Sequence, residues 1–316
     1  MEKEFYIKKA EELYKNKDYQ NLFDIYKKLI EIEKNAKYYF RAGFALYMLA
    51  EYKAAIKYFE KAFDTALENK NNIHYYYFFY LGASYNNINE YEKAIKYLNL
   101  SLELSPYNHN IHRWLASSYY SLCEYKKALK YYTNVLNIEG NTAENLKWIG
   151  ICHYRLHNYD EAIEYLEKSA QYSESNKKDY HTALCLGVSY YKMDKYKKAM
   201  ENLLEAKEID DDNDIIYYYM GLCSFAVKDY INAIENFDKQ LDMLKSNNIY
   251  TICYLSICYY KLKDYKKAFK THKKSKRASK IYRTKIFFQQ MSIKNKFINF
   301  LFNFFQPSIV YGTQSG

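Results

Sequence analysis

One dipeptide recurs along the chain with a nearly constant period. An acidic residue, an asparagine or a lysine precedes a tyrosine at eight places, and the intervals between those tyrosines are 33, 39, 34, 34, 37, 34 and 35 residues. The tyrosines are Tyr19, Tyr52, Tyr91, Tyr125, Tyr159, Tyr196, Tyr230 and Tyr265. A period of this length predicts a stack of similar supersecondary units, each touching the next. The number of domains therefore cannot be inferred from chain length alone.

Two further columns of residues keep the same register. Nine residues before each recurring tyrosine stands a small residue: Ala10, Gly43, Gly82, Ala116, Gly150, Gly187, Gly221 or Ser256. Three residues after the tyrosine stands Leu22 in the first unit and then alanine: Ala55, Ala94, Ala128, Ala162, Ala199, Ala233 and Ala268. Small side chains allow two helices to approach closely where they cross. Each unit is therefore predicted to hold two helices whose small residues face each other, with the tyrosine at the turn and a large apolar residue filling the next layer.

These columns closely resemble the tetratricopeptide repeat, which pairs a Leu-Gly-x-x-Tyr segment with a later Ala-x-x-x-Phe and a proline at the end of the unit. The segment 78–108, FFYLGASYNNINEYEKAIKYLNLSLELSPYN, is a nearly complete example. The resemblance covers residues 3–275 and implies an all-α, right-handed superhelical solenoid of about eight helix-turn-helix repeats. The first and last units depart most from the pattern, with Leu22, Ser256 and His272 at its key positions, as the end units of an array commonly do.

The composition favours a helical class and places the net charge at one end. Eight glycines and two prolines in 316 residues are too few for a turn-dense all-β fold. The formal charge is +10, but twelve Lys and Arg residues and no acid follow Asp264, so residues 1–265 hold 35 basic and 37 acidic residues. We therefore predict a nearly neutral array with a basic tail. No nucleic-acid partner is predicted, because no recognition fold is visible.

The basic tail runs into an apolar segment that has three competing interpretations. In residues 276–305 the polar side chains form one narrow stripe: Lys285, Gln289, Ser292, Lys296, Asn299 and Asn303. The remaining wide apolar face must be buried in something. We predict a basic amphipathic C-terminal helix that caps the last repeat, followed by a tail over 306–316. An anionic membrane surface and a partner protein are the alternative burial sites for this helix.

No catalytic residue, cofactor or metal site is predicted, and the chain is not expected to be an enzyme. The sequence contains no Gly-Lys-Ser/Thr phosphate loop, no GxSxG elbow and no HExxH. His153 and His157 have a spacing that could bind a metal, but no third ligand completes the pattern. The acidic run 210–214 lacks the glycine and the glutamate of a calcium loop, and we interpret it as a linker with helix N-cap residues.

The compartment is predicted from cysteines and the N-terminal segment. The six cysteines include no CxxC pair and lie in apolar periodic segments, so we interpret them as reduced core residues. The opening MEKEFYIKKAEEL has no continuous apolar core and is not predicted to be a signal peptide. The expected location is the cytoplasm, with a membrane-peripheral position if the C-terminal segment binds lipid.

Function is then expected on the inner face of the array. On each first helix the residues three before, one after and four after the small column share one face, and the resemblance implies that this face lines a concave groove. The predicted groove is a ladder of aromatic residues with two cations near its middle. Its residues are Phe40, Tyr47, Phe79, Arg113, Ser117, Tyr120, Lys147, Tyr154, Tyr191, Tyr218, Phe225 and Tyr260. Such a surface suits a peptide or a helix of a partner protein.

Several alternatives remain open at this point. Tyrosine in the last of these columns is common in the repeat family, so scaffold packing competes with ligand contact. The clamp that binds chaperone C-termini in some relatives is missing, because Phe40, Phe44, Phe79 and Tyr80 occupy the groove positions. We expect a non-catalytic scaffold or adaptor with a protein or peptide partner. The alternatives are an accessory arm of an enzyme system, such as a glycosyltransferase, and a membrane-peripheral assembly factor.

Overall fold

A computed structural model describes residues 2–68, 74–173, 178–244 and 248–278. Within these ranges the chain forms sixteen α-helices and no strand. The helices fall into two compact units, one ending at Asp211 and the other beginning at Asp212. The predicted class, an all-α repeat solenoid, is confirmed.

The first unit holds six helix pairs and the second holds two. The helices of the first unit are α1 Glu2–Lys15, α2 Tyr19–Ile32, α3 Ala36–Met48, α4 Tyr52–Glu68, α5 Tyr75–Asn87, α6 Tyr91–Leu104, α7 His109–Ser121, α8 Tyr125–Glu139, α9 Ala143–Arg155, α10 Tyr159–Gln171, α11 Tyr180–Lys192 and α12 Tyr196–Ile209. Those of the second unit are α13 Asp214–Ala226, α14 Tyr230–Leu244, α15 Ile249–Lys261 and α16 Tyr265–Ala278. Every even-numbered helix begins at a recurring tyrosine, the residue that the repeat pattern placed in the turn just before the helix.

The first helices of most pairs begin at a side-chain cap. Asn35, Asn108, Thr142 and Asp179 each accept a hydrogen bond from a backbone N–H in the first turn of the helix that follows. The Asn35 Oδ1 atom, for example, accepts from the backbone N–H of Lys37 at 2.9 Å. These caps satisfy donors that a helix end otherwise leaves unpaired, so they help to set where each pair starts.

A three-residue turn joins the two helices of each pair, and its middle residue has a left-handed backbone. The eight residues concerned are Lys17, Ala50, Asn89, Cys123, His157, Asp194, Lys228 and Lys263, with φ between 56° and 67°. The next N–H then reaches back to the end of the first helix; that of Glu51, for instance, donates to the carbonyl of Leu46 at 2.9 Å. None of the eight is glycine, although only glycine adopts this conformation without steric cost.

Replacing Ala50 with glycine is therefore expected to stabilise the protein by about 1 kcal/mol, because it relieves a left-handed alanine in a turn where the side chain is exposed. Urea unfolding followed by circular dichroism measures the change. Lys57→Gly, on the exposed side of α4, is the matched control and should cost about 1 kcal/mol. A loss of stability in both variants would contradict the assignment of strain to the turn.

Glycine allows the two helices of a pair to approach closely. A Cβ atom built on Gly150 would lie 2.7 Å from Leu166 Cγ and 3.1 Å from the Leu166 backbone nitrogen. On Gly82 it would lie 2.7 Å from Leu98 Cγ and 3.1 Å from the Ala94 carbonyl oxygen. The expected close packing is therefore present, but the nearest neighbour is the large residue four positions after the alanine and not the alanine side chain.

In the last repeat a serine takes the place of the glycine. The Ser256 hydroxyl donates to the carbonyl oxygen of Ala268 at 3.0 Å, so here the small column and the alanine column meet directly. Both residues are buried. The departure from the pattern that the sequence shows at this repeat is therefore accommodated by one buried hydrogen bond.

None of the six cysteines, all of which lie in the described ranges, forms a disulfide bond, but two of them are not buried: Cys253 is half-buried on α15, and Cys123 is exposed. Cys152, Cys185, Cys223 and Cys258 are buried, as expected. Cys123 is exposed in the turn after α7, with a φ of 60°, so its interpretation as a core residue was wrong. The helix ends at Ser121, two residues before Cys123, so the apolar periodicity of α7 does not extend to this cysteine.

The predicted amphipathic helix at 276–305 and the tail at 306–316 lie outside the described residues, apart from the end of α16 at Ala278. The cap, membrane and partner interpretations of that segment stay predictions.

Candidate binding surface on the first helices

The odd-numbered helices of the first unit share one side of it. Besides packing on its neighbours in sequence, α3 touches α5, α5 touches α7, and α9 touches α11. First helices therefore lie side by side from one repeat to the next. We call the side formed by α1, α3, α5, α7, α9 and α11 the first-helix face, and most of the predicted groove residues belong to it.

A continuous row of rings crosses the first three of these helices. Tyr14 of α1 lies 6.0 Å from Phe44 of α3, measured between ring centroids, and Phe44 lies 5.3 Å from Tyr80 of α5. Tyr47 of α3 is also 5.3 Å from Tyr80. Tyr14 is exposed and the other three rings are half-buried, so the row presents aromatic surface to solvent. The two pairs that involve Tyr80 are edge-to-face, which is a favourable arrangement for aromatic rings, and the Tyr14–Phe44 pair is tilted.

The tyrosines predicted in the last groove column also pack on the turns of their own repeats. The residue four after the small column meets the recurring tyrosine of its pair at 5.3–6.5 Å between centroids. The pairs are Tyr47–Tyr52, Tyr120–Tyr125, Tyr154–Tyr159, Tyr191–Tyr196, Phe225–Tyr230 and Tyr260–Tyr265. The residues of this column therefore help to hold each helix pair together. All of those six side chains except that of Phe225 also keep part of their surface exposed. Ligand contact by these tyrosines stays a prediction.

Two of the predicted groove residues are buried. Phe40 is 8% exposed and packs on Phe59 of α4 and on Tyr76 of α5, with ring centroids 5.6 and 4.6 Å apart. Phe225, in the second unit, is also 8% exposed and packs on Tyr254. The expectation that these two side chains line an open groove is therefore revised: they are packing residues, because a neighbouring first helix covers each ring.

Asn86 interrupts the aromatic column and makes a buried polar contact instead. Its side-chain amide donates to the Ser118 hydroxyl at 2.6 Å, and that hydroxyl donates to the carbonyl oxygen of Trp114 at 2.9 Å. Both Asn86 and Ser118 are buried. The hydrogen bond links α5 to α7, so the register between these repeats depends on a specific polar pair as well as on apolar packing.

The two predicted cations hold ion pairs within the chain. Arg113 donates to Glu139 at 2.5 Å and also to Asn110 and Asn145. The Lys147 ammonium lies 2.6 Å from a Glu144 carboxylate oxygen and 3.7 Å from one of Asp179, and its side chain is only 17% exposed. Sequence reasoning did not foresee these acidic partners, which come from the end of α8, from α9 and from the cap of α11.

The remaining predicted residues are partly accessible. Phe79 is half-buried with its ring 5.1 Å from that of Tyr80, and Ser117 is half-exposed on α7. In the second unit, Tyr218 packs 6.3 Å from Phe237, and burial raises the pKa of its phenol. Tyr260 is 37% exposed.

Arg155 is the main residue that the sequence analysis missed. Its Nε donates to the Tyr120 hydroxyl at 3.1 Å, and its guanidinium lies over the rings of Tyr120 and Tyr125 at 5.8 and 5.5 Å. It stands one position after the last groove column, five residues after Gly150. Extending the column analysis by one residue would have found it, since i+4 and i+5 border the same face.

The two histidines whose spacing could bind a metal, His153 and His157, contact different partners in the structure. The His153 ring stacks on Tyr165 at 5.5 Å between centroids, whereas His157 Nδ1 is 2.8 Å from the Tyr159 hydroxyl. His157 lies beyond the end of α9 in the left-handed turn, so the two rings are not one helical turn apart on a common face. In the described ranges no group of three or more His, Cys, Asp or Glu side chains is arranged to hold a metal ion.

Two family models match parts of the chain. One, described as anaphase-promoting complex, cyclosome, subunit 3, matches residues 87–169. The other, a tetratricopeptide repeat, matches residues 36–69 and 186–213. No curated protein sequence matches the chain.

Solved structures with the same architecture are distant in sequence. The C-terminal part of a TPR repeat-containing protein from Cytophaga hutchinsonii is 18% identical with a TM-score of 0.59, over 78% of this chain and 98% of the other. PilF of Pseudomonas aeruginosa is 19% identical with a TM-score of 0.54, over 70% and 97%. A chain of the APC/C hetero-tetramer Cut9–Hcn1 is 19% identical with a TM-score of 0.53, over 87% of this chain but only 52% of its own length.

The repeat register, the helix pairs and these similarities define the class. The chain contains tetratricopeptide repeats and has the fold of tetratricopeptide repeat proteins. Repeats of this class generally serve as protein–protein interaction scaffolds and are generally non-catalytic. Within the described ranges, no helix is both long enough and apolar enough to cross a membrane.

Proposed function

We propose that the protein is a non-catalytic scaffold that captures a peptide or a helix of a partner protein on the first-helix face of its first unit. The observation that carries this proposal is the row of rings from Tyr14 through Phe44 to Tyr80, which continues across three helices while remaining partly open to solvent. Aromatic side chains dominate the energetic centres of protein interfaces because they bury a large area with few rotatable bonds.

The rest of the face suits an extended occupant. Tyr120 lies 5.5 Å from Trp148 between ring centroids, so aromatic contact continues between α7 and α9. Helices that pack against each other have axes about 8–10 Å apart, so a bound helix or strand that crosses the first helices would contact one half-buried ring after another. The rings are held by the scaffold packing, so they lose little conformational freedom when a ligand binds.

Membership of a larger assembly is a second candidate, favoured by the family match over residues 87–169. That model describes a subunit of the anaphase-promoting complex, and the Cut9–Hcn1 structure is a hetero-tetramer. A chain whose repeats bind a partner stably should elute from native cells in a complex much larger than its own mass of 38.1 kDa. Elution at the position of the monomer would contradict this second candidate, and transient peptide capture would remain as the proposed function.

The state of the cysteines is consistent with a cytosolic location. None of the six, all of which lie in the described ranges, forms a disulfide bond, and four are buried in helices. Reduced, buried cysteines are usual in reducing compartments. We propose the cytoplasm as the site of action.

Selection from a random peptide display library against the full-length protein tests the proposal. Selected peptides should lose about 30-fold or more in affinity for Phe44→Ala with Tyr80→Ala, since removing central aromatic contacts commonly costs about 2 kcal/mol or more. The matched control is Tyr97→Ala with Tyr131→Ala, which removes two half-buried rings from the second helices α6 and α8. Equal losses in both double variants, or none in either, would contradict binding on the first-helix face.

A further inference from the structure

Beyond the first pair, the two kinds of helix in the first unit carry different charge; α1 itself holds four Lys and four Glu residues. From α3 to α12, the second helices hold 12 Lys and Arg residues and 13 acidic residues, so they are nearly neutral. The first helices α3, α5, α7, α9 and α11 hold six cations and one acid, Glu144. The cations are Lys37, Arg41, Arg113, Lys147, Arg155 and Lys192. The whole-chain composition hides this asymmetry, because residues 1–265 sum to nearly zero charge.

Acids outside the first helices offset only part of this charge. Glu139 pairs with Arg113, and Asp179 lies near Lys147, which Glu144 also contacts. Arg41 and Lys192 have no carboxylate within 4 Å among the described residues. They lie instead against aromatic rings: the Arg41 guanidinium is 5.6 Å from the Tyr14 ring, and the Lys192 ammonium is 5.8 Å from the Tyr191 ring.

Arg155 and Lys192 occupy equivalent places in adjacent repeats. Each is the last residue of its first helix, five positions after the glycine of its repeat, and α9 and α11 touch. Both side chains are half-buried. Arg155 is oriented by the Tyr120 hydroxyl and two rings, and burial lowers the pKa of Lys192. Lys192 is partly desolvated and has no carboxylate partner within 4 Å among the described residues. An anionic group supplied by a ligand would therefore stabilise its charge.

We infer that the partner segment bound on the first-helix face is acidic: a peptide or helix with Asp and Glu side chains between its apolar ones. The apolar side chains of the partner segment contact the row Tyr14–Phe44–Tyr80. Its carboxylates pair with Arg41 beside that row and with Arg155 and Lys192 further along the face. This inference rests on the proposed function, because it specifies the chemistry of the ligand for the same surface.

The spacing of the charges favours a peptide over a nucleic acid. The six cations are spread over four helices and alternate with aromatic rings, whereas a nucleic acid demands a dense track of Lys and Arg along its phosphates. Phosphate binding is nevertheless measurable, so a single-stranded oligouridylate serves as a competitor in the test below.

Three synthetic peptides of about 18 residues, five helical turns, test the inference directly. They share one apolar face with Leu, Phe and Trp at helical spacing and differ only in the polar face, which is Glu, Gln or Lys. Fluorescence anisotropy measures their binding to the full-length protein. We expect the Glu peptide to bind about tenfold more tightly than the Gln peptide in about 50 mM salt, and the Lys peptide to bind most weakly. The advantage should shrink to about threefold or less in about 500 mM salt.

Charge-removing variants show which cations are responsible. Arg41→Gln with Lys192→Gln should reduce the advantage of the Glu peptide by about threefold and leave the affinity for the Gln peptide unchanged. Lys57→Gln with Lys197→Gln removes two exposed lysines from the second helices α4 and α12 and should change neither affinity. An equal effect from both pairs would show a response to net charge alone and would overturn the assignment to the first-helix face.

The remaining outcomes separate this inference from the proposed function. Equal affinity for all three peptides, with loss on Phe44→Ala and Tyr80→Ala, would overturn the acidic preference and keep peptide capture. Displacement of the Glu peptide by oligouridylate at lower concentration than by unlabelled Glu peptide would overturn a peptide ligand in favour of a nucleic acid. No binding of any peptide, while library-selected peptides bind, would also overturn the acidic preference.

Discussion

Leu166→Ala is expected to lower the free energy of unfolding of the first unit by about 2–5 kcal/mol. Leu166 is completely buried between α9 and α10, and its Cγ occupies the space that a Cβ on Gly150 would need. Shortening it removes apolar contacts and leaves a cavity beside the glycine. Urea unfolding, followed by circular dichroism and by amide hydrogen exchange in α9 and α10, measures the loss.

Gly150→Ala tests the same contact from the other side. In the native background it is expected to cost about 1–3 kcal/mol, although alanine is the better helix former by about 1 kcal/mol. In the Leu166→Ala background the methyl group enters the cavity, so the change should cost much less or become stabilising. The two changes should therefore be strongly non-additive. Additive effects would contradict the close approach of Gly150 to Leu166.

The second large effect is expected at alkaline pH. Burial raises the pKa of Tyr47 and of Tyr77 to about 12. Burial also raises the pKa of Tyr132 and of Tyr218. These phenols stay protonated in the folded chain, whereas tyrosines in an unfolded chain ionise near pH 10. Above pH 10 the unfolded state therefore binds fewer protons than the folded state, and stability falls as pH rises.

The size of this effect depends on how many tyrosines ionise together on unfolding. Each one lowers the free energy of unfolding by up to about 1.4 kcal/mol per pH unit between about pH 10 and its folded pKa, and by less where the ring is partly exposed, as for Tyr47. Several acting together should unfold the protein between about pH 10 and 12. The phenolate absorbance and the helical circular dichroism should change in a single cooperative step.

A pair of tyrosine-to-phenylalanine variants provides the control. Tyr77→Phe removes a buried phenol, so the urea midpoint should fall less steeply with pH than in the native protein. Tyr107 is 85% exposed, and Tyr107→Phe should leave the pH profile unchanged. Gradual ionisation at pH 10 without loss of helix would contradict the burial of these phenols.

The rings that stabilise the scaffold are also the ones to which we assign the proposed binding, so the two roles have to be separated. Tyr47 packs on Tyr52 within its repeat and on Tyr80 of the next, yet it keeps part of its ring exposed on the first-helix face. An alanine at such a position removes a scaffold contact and a proposed ligand contact together. Comparing the change in peptide affinity with the change in urea midpoint separates the two roles.

Much of the fold could be predicted from spacing alone. The recurring tyrosines mark the first residue of all eight second helices, and the glycine column marks where the two helices of a pair come closest. Both follow from local geometry: a helix pair of fixed length needs one turn, and close approach needs a residue without a side chain. These requirements restrict the residue type at fixed intervals along the sequence, so they can be recognised without a structure.

Other features of the structure could not be recognised from residue types at fixed intervals. The left-handed residues in the eight turns are Ala, Asn, Asp, Cys, His and Lys, so residue type did not reveal the conformation. The burial of Phe40 follows from the position of Tyr76 one repeat later. Arg113 pairs with Glu139, 26 positions further along the chain, and the more distant of the two carboxylates near Lys147 is that of Asp179, 32 positions further. Each depends on contacts between distant segments, which spacing within one repeat does not specify.

The amino-acid sequence by itself determined the class of this protein, the number of repeats and the place of every helix pair in the described chain, because periodic packing demands periodic residues. Only the tertiary structure decided which aromatic residues are buried in the scaffold and which remain open, and which cations already hold a carboxylate. Those properties depend on the side chains of adjacent repeats. Residues about one period away along the chain either cover a ring or a charge or leave it exposed.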